Sequence, residues 1–201
     1  MERNWRHHGV RLWTALALAC ALLLIAAAPA PAKTQIVHWS PFLADGGVRR
    51  AIAVTPRYHG DCWEGSFVAH RGYRCIAGNL IYDPCFADPL RDRTVVCAAD
   101  PWARGVVRLR VSGRFANDFS APAGTVWALR LADGARCSLQ AGGTHEVDSA
   151  GRGSNYYCRH SDIVLWGNPT RTGTWTIRLS HSPFPGPEKV ARIRTAYIAS
   201  A

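Results

Sequence analysis

An all-β fold, a small antiparallel sandwich or barrel with a disulfide-stapled, loop-rich lobe, is predicted by three features of the sequence. Short alternating or β-branched runs recur along the chain, as in strands of a sandwich or barrel. The 18 Gly and 12 Pro interrupt any helical period. Six cysteines beyond the N-terminal segment form an even set suited to disulfides. A hydrophobic fraction of 48% with 19% charged residues excludes a disordered chain and a coiled coil.

Met1 to Arg11 is basic, with Arg3, Arg6 and Arg11 against Glu2, and Leu12 to Ala32 carries no charge. The apolar run ends in Ala28-Pro29-Ala30-Pro31-Ala32, so Ala30 and Ala32 fit a small-x-small cleavage pattern with Lys33 next. Residues 1–32 therefore read as a signal peptide, 33–60 as an N-terminal extension with the first strand, and 61–201 as one disulfide-bonded β domain. If uncleaved, the apolar segment would be the only membrane contact. Cys20 sits too early in the run for lipidation and reads as a small hydrophobe.

Strands are expected at Gln35 to Trp39, Val95 to Cys97, Val106 to Val111, Val126 to Leu131, Arg136 to Gln140, Asp162 to Trp166, Trp175 to Leu179 and Val190 to Ile198. Residues 40–50 read as a loop leading into the domain. Asp61 to Cys97 is dense in Cys, Gly, Asp and Pro and reads as the stapled lobe. Pro183 to Pro187 reads as a stiff loop.

One hairpin can be set in register. A three-residue loop, Ala132-Asp133-Gly134, pairs Leu131 with Ala135, Leu129 with Cys137 and Trp127 with Leu139. It also puts Gly134 at the left-handed position of a type I turn with a bulge. Trp127-Ala-Leu-Arg-Leu131 echoes Trp175-Thr-Ile-Arg-Leu179. Two strands with a Trp facing the same core are expected from that echo, not a duplication.

Sequential pairing, Cys62–Cys75, Cys85–Cys97 and Cys137–Cys158, is the expected choice among the 15 that six cysteines allow. Such bonds belong to an oxidising compartment, so a secreted or cell-envelope location follows. No C-x-x-C pair suggests zinc or redox chemistry. No H-x-x-x-H spacing occurs; a zinc site would have to be assembled from separate loops, for example His145 and His160 with Asp148. No metal and no cofactor are expected.

Beyond residue 32 the chain holds 21 Lys+Arg and 13 Asp+Glu, a net charge of +8. That balance suits an anionic cell-envelope polymer; another exported protein or a host surface is the alternative partner. No run of like charges appears, which fits a dispersed solvated surface and gives no reason to expect nucleic acid.

Cys62-Trp63-Glu64-Gly65-Ser66, then Arg74-Cys75-Ile76-Ala77-Gly78-Asn79-Leu80-Ile81-Tyr82-Asp83-Pro84-Cys85-Phe86 and Val95-Val96-Cys97, resembles a pattern of exported, chiefly actinobacterial, Cys-rich bacterial domains. The Trp127-to-Cys137 hairpin and Asn155-Tyr156-Tyr157-Cys158 resemble the same group. The resemblance implies a secreted, disulfide-bonded module. It implies no activity, cofactor or catalytic residue.

No G-x-S-x-G elbow, P-loop or H-E-x-x-H is present, and Ser66 has no nucleophile signature around it. The expected function is a non-enzymatic exported binding module. The alternative is a small secreted hydrolase of glycan or peptide that pairs Asp61 or Glu64 with Asp83; a secreted enzyme inhibitor is the third reading. Against catalysis, Asp83 before Pro84 suits a turn in which the carboxylate binds local amides. Candidate binding residues are Trp63, Asn79, Tyr82, Trp102 and Arg104, aromatic and polar groups able to hold sugar rings.

Overall fold

The computed structural model describes residues 32–50, 52–142, 145–148, 150–181 and 186–200. The expected signal peptide, and most of the loop from Pro183 to Pro187, lie outside the described residues. Lys33–Ala201 forms one compact unit.

Twelve strands and no helix occur among the described residues. They are β1 (Gln35–Trp39), β2 (Ala53–Gly65), β3 (Tyr73–Ala77), β4 (Leu80–Ala87), β5 (Thr94–Cys97), β6 (Gly105–Phe115), β7 (Ala128–Leu131), β8 (Arg136–Leu139), β9 (Ser154–Cys158), β10 (Ile163–Thr170), β11 (Thr176–His181) and β12 (Lys189–Ala199). Strands β2 to β6 close a five-stranded barrel, and β7 to β12 close a second barrel through the β12–β7 pairing. β1 adds in parallel to the end of β12. Closure removes most of the open edges that a flat sheet would expose.

The all-β class is as expected. The segment from Asp61 to Cys97 is not a loop-like lobe, however: it supplies β3, β4, β5 and the end of β2. Its Pro and Gly residues sit where a barrel tolerates them. β2 carries Pro56 and Gly60 but shifts register between Arg57 and Gly60 and again between Gly60 and Cys62. The Ala77 to Leu80 hairpin turns on Gly78, whose φ of 60° suits the first centre of a type II′ turn.

The disulfides follow the sequential pairing, and each joins facing residues of neighbouring strands. Cys62–Cys75 and Cys85–Cys97 fill the first barrel with Val95, Leu109 and Val111. Cys137–Cys158 lies in the second barrel with Leu129, Leu165, Ile177 and Ile193. A third cluster joins the barrels. It gathers Trp39, Phe86, Val96, Val106, Trp127 and Ala199.

The β7–β8 hairpin has the expected three-residue loop. The Leu131 amide donates to Ala135 O at 2.9 Å, the Gly134 amide donates to Leu131 O at 3.0 Å, and Leu129 faces Cys137. Gly134 has a φ of 97° with open space around its α-carbon, so the obstacle to a side chain is backbone conformation rather than crowding. Gly134→Val is expected to cost about 1–2 kcal/mol, read as a lower urea midpoint with an unchanged slope. An unchanged midpoint would remove the turn assignment.

One expectation about this hairpin is corrected. Trp127 does not share a face with Leu129 and Leu131. It precedes β7 and turns into the inter-barrel cluster, whereas Leu129, Leu131 and Trp175 lie in the second barrel. The two echoed tryptophans thus serve different cores.

Candidate functional site

Strands β2, β3 and β4 bring the middle of the Cys-rich motif together. The cysteines alternate inward, which turns Arg74 outward beside Cys75. The register shift between Cys62 and Glu64 lets Glu64 face Arg74 across the ladder. Arg74 Nη1 then lies 3.4 Å from Glu64 Oε1. The guanidinium also sits 4.3 Å from the Phe67 ring centroid and 5.7 Å from that of Trp63.

Asp83, on β4, closes the row. One carboxylate oxygen accepts the Ser66 hydroxyl, and the other accepts the Phe67 amide at 3.0 Å. Ser66 is fully buried, and its oxygen accepts the amides of Val68 at 3.1 Å and Ala69 at 2.9 Å. A hydroxyl has one donor and two acceptor positions, and all three are used here. Ser66 is therefore a turn-holding group with no lone pair free for nucleophilic attack.

Gly65 explains the other half of the Gly65-Ser66 pair. A Cβ there would stand 2.4 Å from the backbone nitrogen of Ser120. The loop after β6 lies directly on this glycine, tied by the Gly65 amide to Asp118 O at 2.7 Å and the Ala121 amide to Ser66 O at 2.7 Å.

Burial pushes the Asp83 carboxyl up to about 6. The Ser66 and Phe67 hydrogen bonds and the Arg74 charge oppose the rise, while Glu64 adds to it. Folded Asp83 thus holds a proton at pH values where the unfolded chain has released it. Its contribution favours folding most below about pH 4 and is lost as pH climbs through about 6, on the order of 3 kcal/mol. Asp83→Asn is expected to flatten this fall in a series of urea unfolding curves between pH 4 and pH 7. Parallel pH profiles for the two proteins would refute it.

A cavity of about 450 Å³ opens beside Asp83 at the barrel end where β2, β4 and β6 begin and β5 ends. Thr55, Ile81, Tyr82, Asp83, Ala99 and Val107 are among its walls. Ala99 also borders a second hollow toward the other barrel, with Asp100, Gln140, Tyr157 and Arg159. There the buried Asp100 carboxylate meets Arg159 at 3.0 Å and ties the barrels together.

The candidate residues named from the sequence fall into distinct places. Trp63, Glu64 and Asp83 gather around Arg74, and Tyr82 shares the cavity with Asp83. Asp61 is not in this row; its carboxylate packs over Gly113 of β6. Asn79 is exposed at the hairpin tip. Trp102 and Arg104 lie on the β5–β6 loop. Trp102 is held by Tyr197 at 5.2 Å between ring centroids and by Arg136 at 5.7 Å, while Arg104 is exposed and accepts the Ala53 amide through its carbonyl.

Ser66, Phe67 and Arg74 are the residues that sequence reasoning passed over as site members. Ser66 and Arg74 share one motif with Asp83, and Phe67 directly follows its first part. His145, Asp148 and His160 are not brought within ligating reach of one another. Among the described residues, the only group of three or more such ligands is Cys75, Cys85 and Cys97, whose sulfurs are spent in disulfides.

No family model matches the chain, and the comparisons found no matching curated protein or solved structure. The site rests on its own geometry. The three disulfides fit a disulfide-stabilised module of an oxidising, extracytoplasmic environment.

Proposed function

We propose that the protein is a secreted or envelope-bound binding module that holds an anionic envelope polymer through a basic, aromatic face beside the Arg74 row. The observation that carries this reading is Phe119. It is 93% exposed, with a φ of 62°, on the loop seated on Gly65. A bulky side chain in that backbone region is uncommon and costs free energy. Phe67, also exposed, lies on the facing turn.

Arg74 lies against the Phe67 ring, and Arg71, exposed beside the Phe119 loop, donates its amide to Ser120 Oγ. Arg114 is exposed, with Asp118 at 3.6 Å as its partner. Rings for stacking and guanidinium groups for phosphate or carboxylate suit an acidic glycan or wall polymer.

The test is retention on purified cell wall. Wild type should bind at low salt and elute as salt rises, and Phe119→Ser with Arg71→Ser should bind at least about tenfold more weakly with unchanged thermal stability. Equal retention of the variant would reject this face.

A second reading, hydrolysis of a glycan or peptide, draws support from Asp83, whose raised affinity for a proton beside Glu64 suits a general acid. Turnover of a glycan or peptide library, abolished by Asp83→Asn in folded protein, would favour it; no turnover by wild type would dismiss it.

A further inference from the structure

The cavity at the end of the first barrel has a composition at odds with the basic chain around it. Its walls include Ile81, Ala98, Ala99, Val106 and Val107, with hydroxyl-bearing Thr55 and Tyr82, and among the described residues its only charged member is Asp83. Ligand pockets share this pattern of apolar walls with a few placed polar groups, at volumes of about 300–1,000 Å³.

Among the described residues, charge counting around Asp83 leaves one negative charge over when the carboxyl is ionised. Arg74 is the nearby cation, and Glu64 already pairs with it at 3.4 Å. Phe67 and Trp63 also cover its guanidinium. No Lys, Arg or His forms a salt bridge with Asp83 among the described residues. Its two oxygens each accept one neutral donor, the Ser66 hydroxyl and the Phe67 amide. A carboxylate offers about four lone-pair positions, so acceptor capacity remains beyond these two bonds, and Asp83 is itself a wall residue of the cavity.

We propose that this cavity binds a small primary ammonium ion carrying an apolar group, with Asp83 as its counter-ion and the Ile81, Val106 and Val107 wall taking the apolar part. The Ser66 and Phe67 hydrogen bonds hold the carboxylate in place before the ligand arrives, which lowers the cost of binding. The site is separate from the basic face: its ligand has the opposite charge, so neither reading depends on the other.

The experiment titrates the full chain with phenethylammonium and with 2-phenylethanol, a neutral molecule of nearly the same shape, by calorimetry and NMR at pH 7.5. A hydrogen bond between charged partners is stronger than a neutral one, so the amine should bind at least about tenfold more tightly than the alcohol. Asp83→Asn should remove that preference. Gly105→Leu is the second variant. Gly105 lines the cavity, and a Cβ there would meet only Ala53 O, at 3.5 Å. The leucine should fill the space and abolish binding of both probes while the circular dichroism spectrum stays the same. The proposal is overturned if folded wild type shows no saturable amine binding, if amine and alcohol bind equally, or if Gly105→Leu binds the amine as wild type does. These comparisons stand even if Asp83→Asn fails to fold.

Discussion

Replacing Trp127 by alanine is expected to destabilise the protein by about 3–5 kcal/mol, the range for deleting a large buried aromatic side chain. Trp127 is 1% exposed, and its ring lies 5.1 Å from that of Trp39, which in turn lies 6.1 Å from Phe86. These residues come from β1, the position just before β7, and β4, so the side chain is shared by both barrels. Each barrel also has an interior of its own. The variant should therefore lose cooperativity as well as stability, because each barrel keeps its interior and loses its neighbour. Urea unfolding followed by near-UV and far-UV circular dichroism should show one transition in wild type and separated transitions in Trp127→Ala. Trp127→Phe should recover part of the loss. A cost below about 1 kcal/mol would mean that the barrels do not share this core.

Much of the second barrel was legible because its strands alternate cleanly or run β-branched. Val190 to Ile198 and Trp175 to Leu179 differ by one or two residues at either end from β12 and β11. The first barrel was harder to read. β2 contains Pro56, Gly60 and Gly65, and β4 contains Pro84, residues that mark turns in a local reading. They are accommodated by bulges and by the parallel β2–β6 pairing, which joins residues about 50 apart and leaves no local sequence mark. β9 was missed for a related reason. Ser154 to Cys158 is short and polar, and it is defined by Cys137 facing Cys158 rather than by its own pattern.

Part of the candidate site was legible: Asp83 and Glu64 were named as carboxylates for the alternative hydrolase reading, with a turn as the rival role for Asp83, and their nearest partners are Ser66, the Phe67 amide and Arg74. Arg74 escaped notice because its place in the motif assigns it no role, and only strand pairing brings it opposite Glu64. Phe119 escaped because exposure is a tertiary property. Its segment, Ala116-Asn117-Asp118-Phe119-Ser120, reads as an ordinary polar loop. The loop's fixed course over Gly65 presents that ring to solvent.

Removing both disulfides of the first barrel should have an effect larger than either alone. Four of the seven buried residues in its interior are Cys62, Cys75, Cys85 and Cys97. Chain entropy gives a cross-link across 12 or 13 residues about 3 kcal/mol, and ranks Cys137–Cys158, at separation 21, higher by only about 0.5 kcal/mol. Loop length alone would thus make the three bonds nearly equivalent. Core composition breaks the tie. The Cys137–Cys158 bond sits among eleven other buried residues, which hold the second barrel's interior together without it. The first barrel would keep only Val95, Leu109 and Val111 as buried apolar members of its cluster. Cys→Ala at both Cys62–Cys75 and Cys85–Cys97 is therefore expected to unfold β2 to β6 at room temperature, while Cys137→Ala with Cys158→Ala leaves a folded protein with a lower Tm. Amide hydrogen exchange would locate the loss: protection should vanish along β3 to β5 and persist along β10 to β12 in the four-alanine variant. Equal protection in both barrels would mean that sulfur is not what fills the smaller one.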